Sequence, residues 1–430
     1  MTALNANPHA NAAAAAAATR EPAAVAVTGV GLVTAAGVGV KHTWHQVTNA
    51  TTPQGVRRPD SLQDLPCDFM YTIDDGDLDV DAVLGVASHR LMDRFAQLAV
   101  VAAREAVADA GLGPDVWDSA RVAVVVGSAH GGLTFYDEQH RVLTERGPRR
   151  VSPRMAPLTV VNGAAGSIAR DLGTRGPSLA VATACSSGTD AIGTALQLLR
   201  AGACDIAVAG GAESMASRAV FAGTCNAKAL STRTTDPAAA CRPFDVDRDG
   251  FVVGEGAGIL VLERAEHARA RGAKARATVR GYGAATSSEA SSPVAPSEAG
   301  IELALRAALT DADVAPRDVG HVNAHGTSTV MNDLVEAAVL HRVLGEGPLV
   351  TSTKSMTGHT LGAAGGIEAV FTVLALEEQL VPATVNLRTQ DPRVPVEVVA
   401  ETARPARLDC AVSTSLGFGG HNSVLVLARD

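Results

Sequence analysis

The chain has 430 residues, 47% hydrophobic and 19% charged, with 36 Lys and Arg against 45 Asp and Glu and a formal net charge of −9. That length excludes a small scaffold, and the acidic balance supplies no basic surface for nucleic acid or an anionic membrane. Aromatic residues make up only 3%, so the core must be built from small side chains on elements that approach closely.

Residues 1–22 are rich in alanine, with no Lys or Arg before Arg20. They lack the positive start and greasy middle of a secretory signal, so a disordered leader is expected. No continuous apolar run is long enough to span a bilayer, which takes about 18 residues or more. Six scattered cysteines, Cys67, Cys185, Cys204, Cys225, Cys241 and Cys410, do not form the dense framework of a small secreted domain. The reducing cytoplasm is the expected compartment.

From Ala23 onward, short Val/Ala/Ile runs alternate with helical stretches. Val25 to Thr28, Val122 to Val126, Leu179 to Ala182, Ile206 to Ala209, Ile259 to Leu262, Val350 to Thr353 and Val424 to Leu427 read as buried strands. Leu91, Phe95, Leu98 and Ala102 form an apolar stripe on a helix predicted to end before Gly111. Ile301, Leu305, Ala308 and Leu309 form another stripe, and Val335, Val339 and Val343 a third. The alternation predicts an α/β fold with substantially parallel strands. Thr286 to Ser297, rich in Ser, Pro, Glu and Ala, reads as an internal loop. Gly29-Val-Gly31-Leu-Val-Thr34 fails as a dinucleotide fingerprint, because threonine replaces the third glycine and no acidic residue follows about 20 positions on.

Four segments carry chemistry. In Val181-Ala-Thr-Ala-Cys185-Ser-Ser-Gly-Thr-Asp190 a buried strand turns into a helix through small residues, with the cysteine on the bend. A helix amino terminus there should favour the thiolate and lower the thiol's pKa, as in a nucleophile elbow; taken alone, a cysteine in such a place is more often a small buried residue filling a tight turn. In His321-Val-Asn-Ala-His325-Gly-Thr-Ser-Thr329 a histidine sits where an apolar run gives way to a polar loop. Such strand ends bind ligands in α/β sheets, although His325 could simply bond a loop. Lys354-Ser-Met-Thr-Gly-His359 precedes a further helix. A helix amino terminus should keep His359 neutral, and Lys354 is expected to be partly buried and paired with Glu368. The glycines of Leu416-Gly-Phe418-Gly-Gly420 permit a loop that aims backbone N–H groups at an oxyanion, or a plain turn.

Together these motifs, with Arg242-Pro-Phe-Asp-Val-Asp-Arg-Asp-Gly-Phe-Val-Val-Gly-Glu-Gly-Ala-Gly258, resemble the β-ketoacyl synthases of the thiolase superfamily. The likeness covers about residues 23–429 and is strongest to the KAS II-like elongating enzymes of dissociated fatty acid synthesis and to the α-type ketosynthases of type II polyketide synthesis. The resemblance implies a five-layered αβαβα fold of two similar halves, residues 23–270 with the nucleophile and 271–430 with both active-site histidines, usually dimeric. It implies a catalytic set of Cys185, His325, His359, Lys354 and the Phe418 backbone, with Glu368, Asp333 and Glu336 in a polar network that orients the histidines. It places Thr327 and Thr329 against a phosphopantetheine arm and His130 beside the acyl pocket. Arg90, Arg94 and Lys228 match positions that face an acyl carrier protein. No cofactor and no metal is expected.

The implied reaction is decarboxylative Claisen condensation of a malonyl-type extender with an acyl chain held on Cys185. Two features tilt the likeness toward polyketide synthesis: His130 where the housekeeping enzymes carry an aliphatic residue, and Asp190 after SerSerGlyThr. A housekeeping elongation enzyme is the alternative. A non-catalytic chain-length partner is disfavoured because Cys185 is present, and His321, His325, His359 and Asp333 match no recognised metal-ligand spacing.

Overall fold

A computed structural model describes residues 24–74, 76–289, 292 and 294–430; the expected leader lies outside them. The principal strands are β1 (Val25–Thr34), β2 (Val122–Gly127), β3 (Ser178–Val181), β4 (Ile206–Glu213), β5 (Gly256–Arg264), β6 (Ala277–Thr286), β7 (His321–Asn323), β8 (Leu349–Thr351), β9 (Glu397–Val398), β10 (Cys410–Gly417) and β11 (His421–Ala428). They form one sheet in the order β9-β8-β7-β10-β11-β6-β1-β5-β4-β2-β3, and Gly37–Val38 folds back on β1 as its twelfth strand.

Pairing is parallel only at the two flanks, from β9 to β10 and from β4 to β3, and antiparallel through the middle. The expectation of substantially parallel strands holds for the five pairings of the flanks and not for the five of the middle. The cause is connectivity: β10 and β11 are joined by a tight hairpin, which only antiparallel neighbours can use. β6, β9 and β10 are not among the strands the sequence predicts, and β7 is predicted only by its end at the His325 loop. In β6, buried and more exposed positions alternate around Gly281 and Gly283 instead of forming an apolar run. The sheet's two portions meet at a short contact, Val25–Val27 of β1 against Ala277–Val279 of β6.

Because successive strand residues face opposite ways, each portion serves two helical layers. The principal helices are α1 (Arg94–Asp109), α2 (Gly163–Leu172), α3 (Ser187–Arg200), α4 (Glu298–Ala312), α5 (Val330–Leu344) and α6 (Ala364–Glu378). Val124 and Val208 pack outward on Leu98, Ala102 and Ile168 of α1 and α2. Their neighbours Val125 and Ala209 face inward to Ile192 and Leu196 of α3 and to Ile367 and Val370 of α6. Ala411 and Leu425 reach the same α3/α6 layer from the other portion, while Val412 and Val424 turn to Ile301, Leu305 and Leu340 of α4 and α5. The result is helix, sheet, helix, sheet, helix.

The helix stripes fold as read, with one correction. Asp93 caps α1, so Leu91 lies before the helix and is exposed. Thr286 ends β6, so the predicted loop begins at Ser287.

The small-residue core has a direct geometric basis. A Cβ on Gly29 or Gly31 of β1 would lie 2.1 Å from the Ala106 carbonyl oxygen or 2.0 Å from that of Ala102 in α1. Gly281 and Gly283 of β6 repeat the arrangement, at 2.5 Å from Ala308 and 2.3 Å from Ala304 of α4. The Gly-Val-Gly segment that fails as a nucleotide fingerprint is therefore a seat for a helix. Gly31→Ala should cost ~1–3 kcal/mol, read as a lower denaturation midpoint; an unchanged midpoint would mean that α1 does not seat on β1.

Candidate active site

The four motifs converge because each follows the carboxyl end of a strand: Cys185 after β3, His325 after β7, Lys354 and His359 after β8, and Phe418 after β10. At the elbow, Ala184 adopts φ 51, a left-handed conformation that non-glycine residues rarely take. Side-chain bonds hold it: Ser187 Oγ donates to the Ala184 carbonyl at 2.6 Å and accepts from the Thr183 N–H at 2.9 Å. The bend presents the sulfur at the start of α3.

Cys185 Sγ lies 3.2 Å from His359 Nε2. The His325 and His359 rings stand nearly perpendicular, with centroids 5.2 Å apart, and the Phe251 ring meets His359 edge-on at 5.0 Å. His359 is pinned by its backbone, its N–H donating to Val252 O at 2.7 Å and its carbonyl accepting from Gly254 N–H at 3.0 Å. His325 is held the same way: its N–H lies 2.8 Å from Glu336 Oε1 and 3.0 Å from Thr414 Oγ1, and Gly326 N–H donates to Glu336 Oε2 at 2.8 Å.

Glu336 thus positions the histidine's backbone instead of its ring. Asp333 accepts from the Phe244 and Ser328 N–H groups and pairs with Arg248, which fixes the loop beyond His325. Lys354 is fully buried, not partly, and forms an ion pair with Glu368. Its ammonium acts on the site through its field.

That field and burial set the protonation states. Burial pushes the Cys185 thiol up to about 11, and the Phe418 N–H and Lys354, which pull the other way, do not compensate. The expected lowering is corrected: desolvation of the buried sulfur outweighs the groups that favour the thiolate. Burial and then the Lys354 charge hold both imidazoles well below the ordinary histidine range. His359 is therefore held neutral, as expected, with burial and the Lys354 charge as the causes. Glu368, desolvated beside its cation, is pushed up to about 7.

A cavity of about 280 Å³ contains Cys185, His325 and His359, with Thr327, Thr329 and Phe418 on its walls. The two threonine hydroxyls are 3.0 Å apart. Lys228 lies at the wall and is exposed, as are Phe418 and Met331.

His130, expected beside the acyl pocket, is not on this cavity, and the two arginines expected to face a carrier lie away from it. His130 lies outside the lining, its Nδ1 4.0 Å from the buried carboxylate of Glu213. Arg94 is committed within the fold, 3.2 Å from Glu255 Oε1 and 3.0 Å from the Ile73 carbonyl. The same Glu255 carboxylate also accepts from the Ile73 N–H at 3.0 Å and from Ser214 Oγ at 2.6 Å. Arg90 is exposed, beyond the short helix Val86–His89. Phe251, Val252, Gly254 and Thr414 were missed as site residues; the 242–258 segment was legible as a motif, but its task of gripping His359 is a long-range pairing. His321 bonds the Leu349 carbonyl at 2.9 Å, and among the described residues no His, Cys, Asp and Glu group is arranged to hold a metal.

A buried thiol beside a neutral imidazole can lose its proton to that ring as it attacks a thioester. A second neutral imidazole in the same cavity can steady a developing enolate oxygen. This chemistry, on a five-layered thiolase-like fold, is that of a condensing acyltransferase.

The chain belongs to the β-ketoacyl synthase family: residues 23–268 match the "Beta-ketoacyl synthase, N-terminal domain" model and residues 276–388 the C-terminal one. It is 40% identical over 408 residues to "3-oxoacyl-[acyl-carrier-protein] synthase 2" of Staphylococcus aureus (strain COL), covering 94% of this chain and 98% of that protein. Identity to the Vibrio cholerae protein of the same name is 41% over 412 residues, 94% and 99% of the two chains. Among solved structures, the ishigamide ketosynthase/chain length factor superposes with TM-score 0.89 at 33% identity, covering 95% of this chain and 100% of that one. A type II PKS ketosynthase, solved with its acyl-carrier protein and bound to the hexaketide, gives 0.85 at 30% identity with the same coverages.

Proposed function

We propose that this β-ketoacyl synthase is the condensing ketosynthase of a type II polyketide pathway. Cys185 takes an acyl chain from an acyl carrier protein as a thioester, its proton passing to His359 and on to the departing carrier thiol, which leaves the ring neutral again. A malonyl group on a second carrier loses carbon dioxide, and the resulting carbanion attacks the thioester to give a β-ketoacyl product. His325 and His359 stabilise the enolate as neutral hydrogen-bond donors, since imidazolium would quench it. The Cys185 and Phe418 N–H groups receive the tetrahedral oxyanion. The observation that carries this reading is the 3.2 Å contact of Cys185 Sγ with a neutral His359 that stacks edge-on with His325 in one enclosed cavity.

Support for polyketide synthesis comes from the type II ketosynthases among the structural relatives, together with Asp190 and His130. The 40% identity to synthase 2 of Staphylococcus aureus favours the second reading, housekeeping elongation of fatty acids. The fold's sequence halves, 23–270 and 271–430, divide the work between nucleophile and histidines. β3 forms an outer edge of the sheet and leaves Leu179 exposed. A second subunit, identical or of the chain-length-factor kind, would add there. Lys228 at the cavity wall and Arg90 remain the carrier-facing cations. The six cysteines are free, which suits a reducing cytoplasm.

The test supplies purified protein, alone and with a chain-length-factor homologue, with acyl and malonyl carriers and identifies products by mass. Unreduced poly-β-keto chains that need the partner support the polyketide reading; saturated acyl carriers extended by the protein alone support the other. Because His130 lies outside the cavity lining, His130→Ile tests whether its surroundings reach the acyl chain: a shifted starter preference or product length keeps it in the argument, and an unchanged profile removes it.

A further inference from the structure

Asp190 lies in the first turn of α3 and is 6% exposed. Three hydroxyls converge on its carboxylate. Thr183 Oγ1 donates to Oδ2 at 2.5 Å, Tyr282 OH donates to Oδ1 at 2.8 Å, and Ser423 Oγ also donates to Oδ1. These partners come from separated places. Thr183 is on the strand side of the elbow, two residues before Cys185. Tyr282 belongs to β6, and Ser423 to β11, directly after the turn that carries Phe418.

One carboxylate therefore ties the elbow to the hairpin opposite. Its neighbours reinforce the joint: Thr189 Oγ1 lies 2.7 Å from Ser415 Oγ, and Ser186 Oγ donates to Ser415 O at 3.1 Å. Ser415 and Ser423 are partners in the β10–β11 register. The phenol lies flat on α3, where a Cβ on Gly193 would be 2.5 Å from the ring. Burial and the carboxylate push the Tyr282 hydroxyl's pKa up, so it stays a donor.

The two N–H groups assigned to the oxyanion sit on opposite sides of this joint, one on Cys185 and one on Phe418. The histidines are held by other groups, namely Glu336, Thr414, Val252 and Gly254, none of which bonds to Asp190. We propose that Asp190 is a positioning residue that sets the alignment of the Cys185 and Phe418 N–H groups, and so controls acyl transfer to Cys185 while leaving extender decarboxylation to the histidines. This rests on the proposed function.

Asp190→Asn keeps the side chain's shape and removes the charge that collects three donors. The full-length variant is compared with wild type in three readings: acyl loading by intact-protein mass, labelled carbon dioxide released from malonyl carrier, and thermal midpoint. Loading should slow about tenfold or more, since small misplacements of reacting groups are costly, with carbon dioxide release held within about twofold. Tyr282→Phe should move loading in the same direction by less, and the double variant should load no more slowly than Asp190→Asn, because the two residues act through one joint. Equal losses in both reactions, or unchanged loading, overturn the inference. Should Asp190→Asn fail to fold, the same split is required of Tyr282→Phe. A wild-type protein that neither loads nor decarboxylates overturns the proposed function and this inference with it.

Discussion

Cys185→Ala should leave no acyl adduct on the protein after incubation with acyl carrier, measured by intact mass. The other five cysteines do not substitute. Cys67, Cys204, Cys225, Cys241 and Cys410 all lie outside the lining of the cavity that holds both histidines. The sulfur of Cys185 is itself held as a thiol, so its nucleophilicity arises during the step, as the proton passes 3.2 Å to His359. Attack by a pre-formed thiolate would instead make loading climb about tenfold per pH unit on the acid side of the thiol's pKa. A proton hand-over to a neutral ring gives a much flatter profile. An adduct persisting in Cys185→Ala would place the nucleophile elsewhere.

His325→Ala and His359→Ala should still load, more slowly for His359→Ala, which loses the proton acceptor. Both should lose extender decarboxylation by about 10²-fold or more, the scale seen when one oxyanion donor is removed. The sign of the pH dependence follows from the depressed histidine pKa values. The neutral rings are the working form, and a lowered pKa extends that form toward acid. Wild-type decarboxylation should therefore persist as pH falls from 8 through about 6, where an ordinary histidine would already be protonating. Carbon dioxide release at the normal rate in either variant would remove that ring from the step.

Much of this site was legible in the sequence because its parts are local. A strand, a bend of small residues and a helix predict where Cys185 points, and the His-Gly-Thr-Ser-Thr and Gly-Phe-Gly-Gly loops announce themselves by composition. What was not legible is what happens between distant segments. The thiol's raised pKa depends on enclosure by residues from the whole chain, so a helix-terminus argument predicts the wrong direction. Arg94 looks like a surface cation until Glu255, far along the sequence, is found beside it. The antiparallel middle of the sheet escaped because β6 alternates with glycines that serve α4 instead of advertising a strand.

The inner helical layer has a mechanical consequence. α3 and α6 each press on strands from both portions of the sheet, so although each portion keeps its own outer core with α1 and α2 or with α4 and α5, its inner face would be bared by the other's departure. Turnover, which needs Cys185 from one portion and both histidines from the other, should be lost on heating no later than the first portion opens. A chain severed near the β5–β6 crossover would then work only if its fragments reassembled.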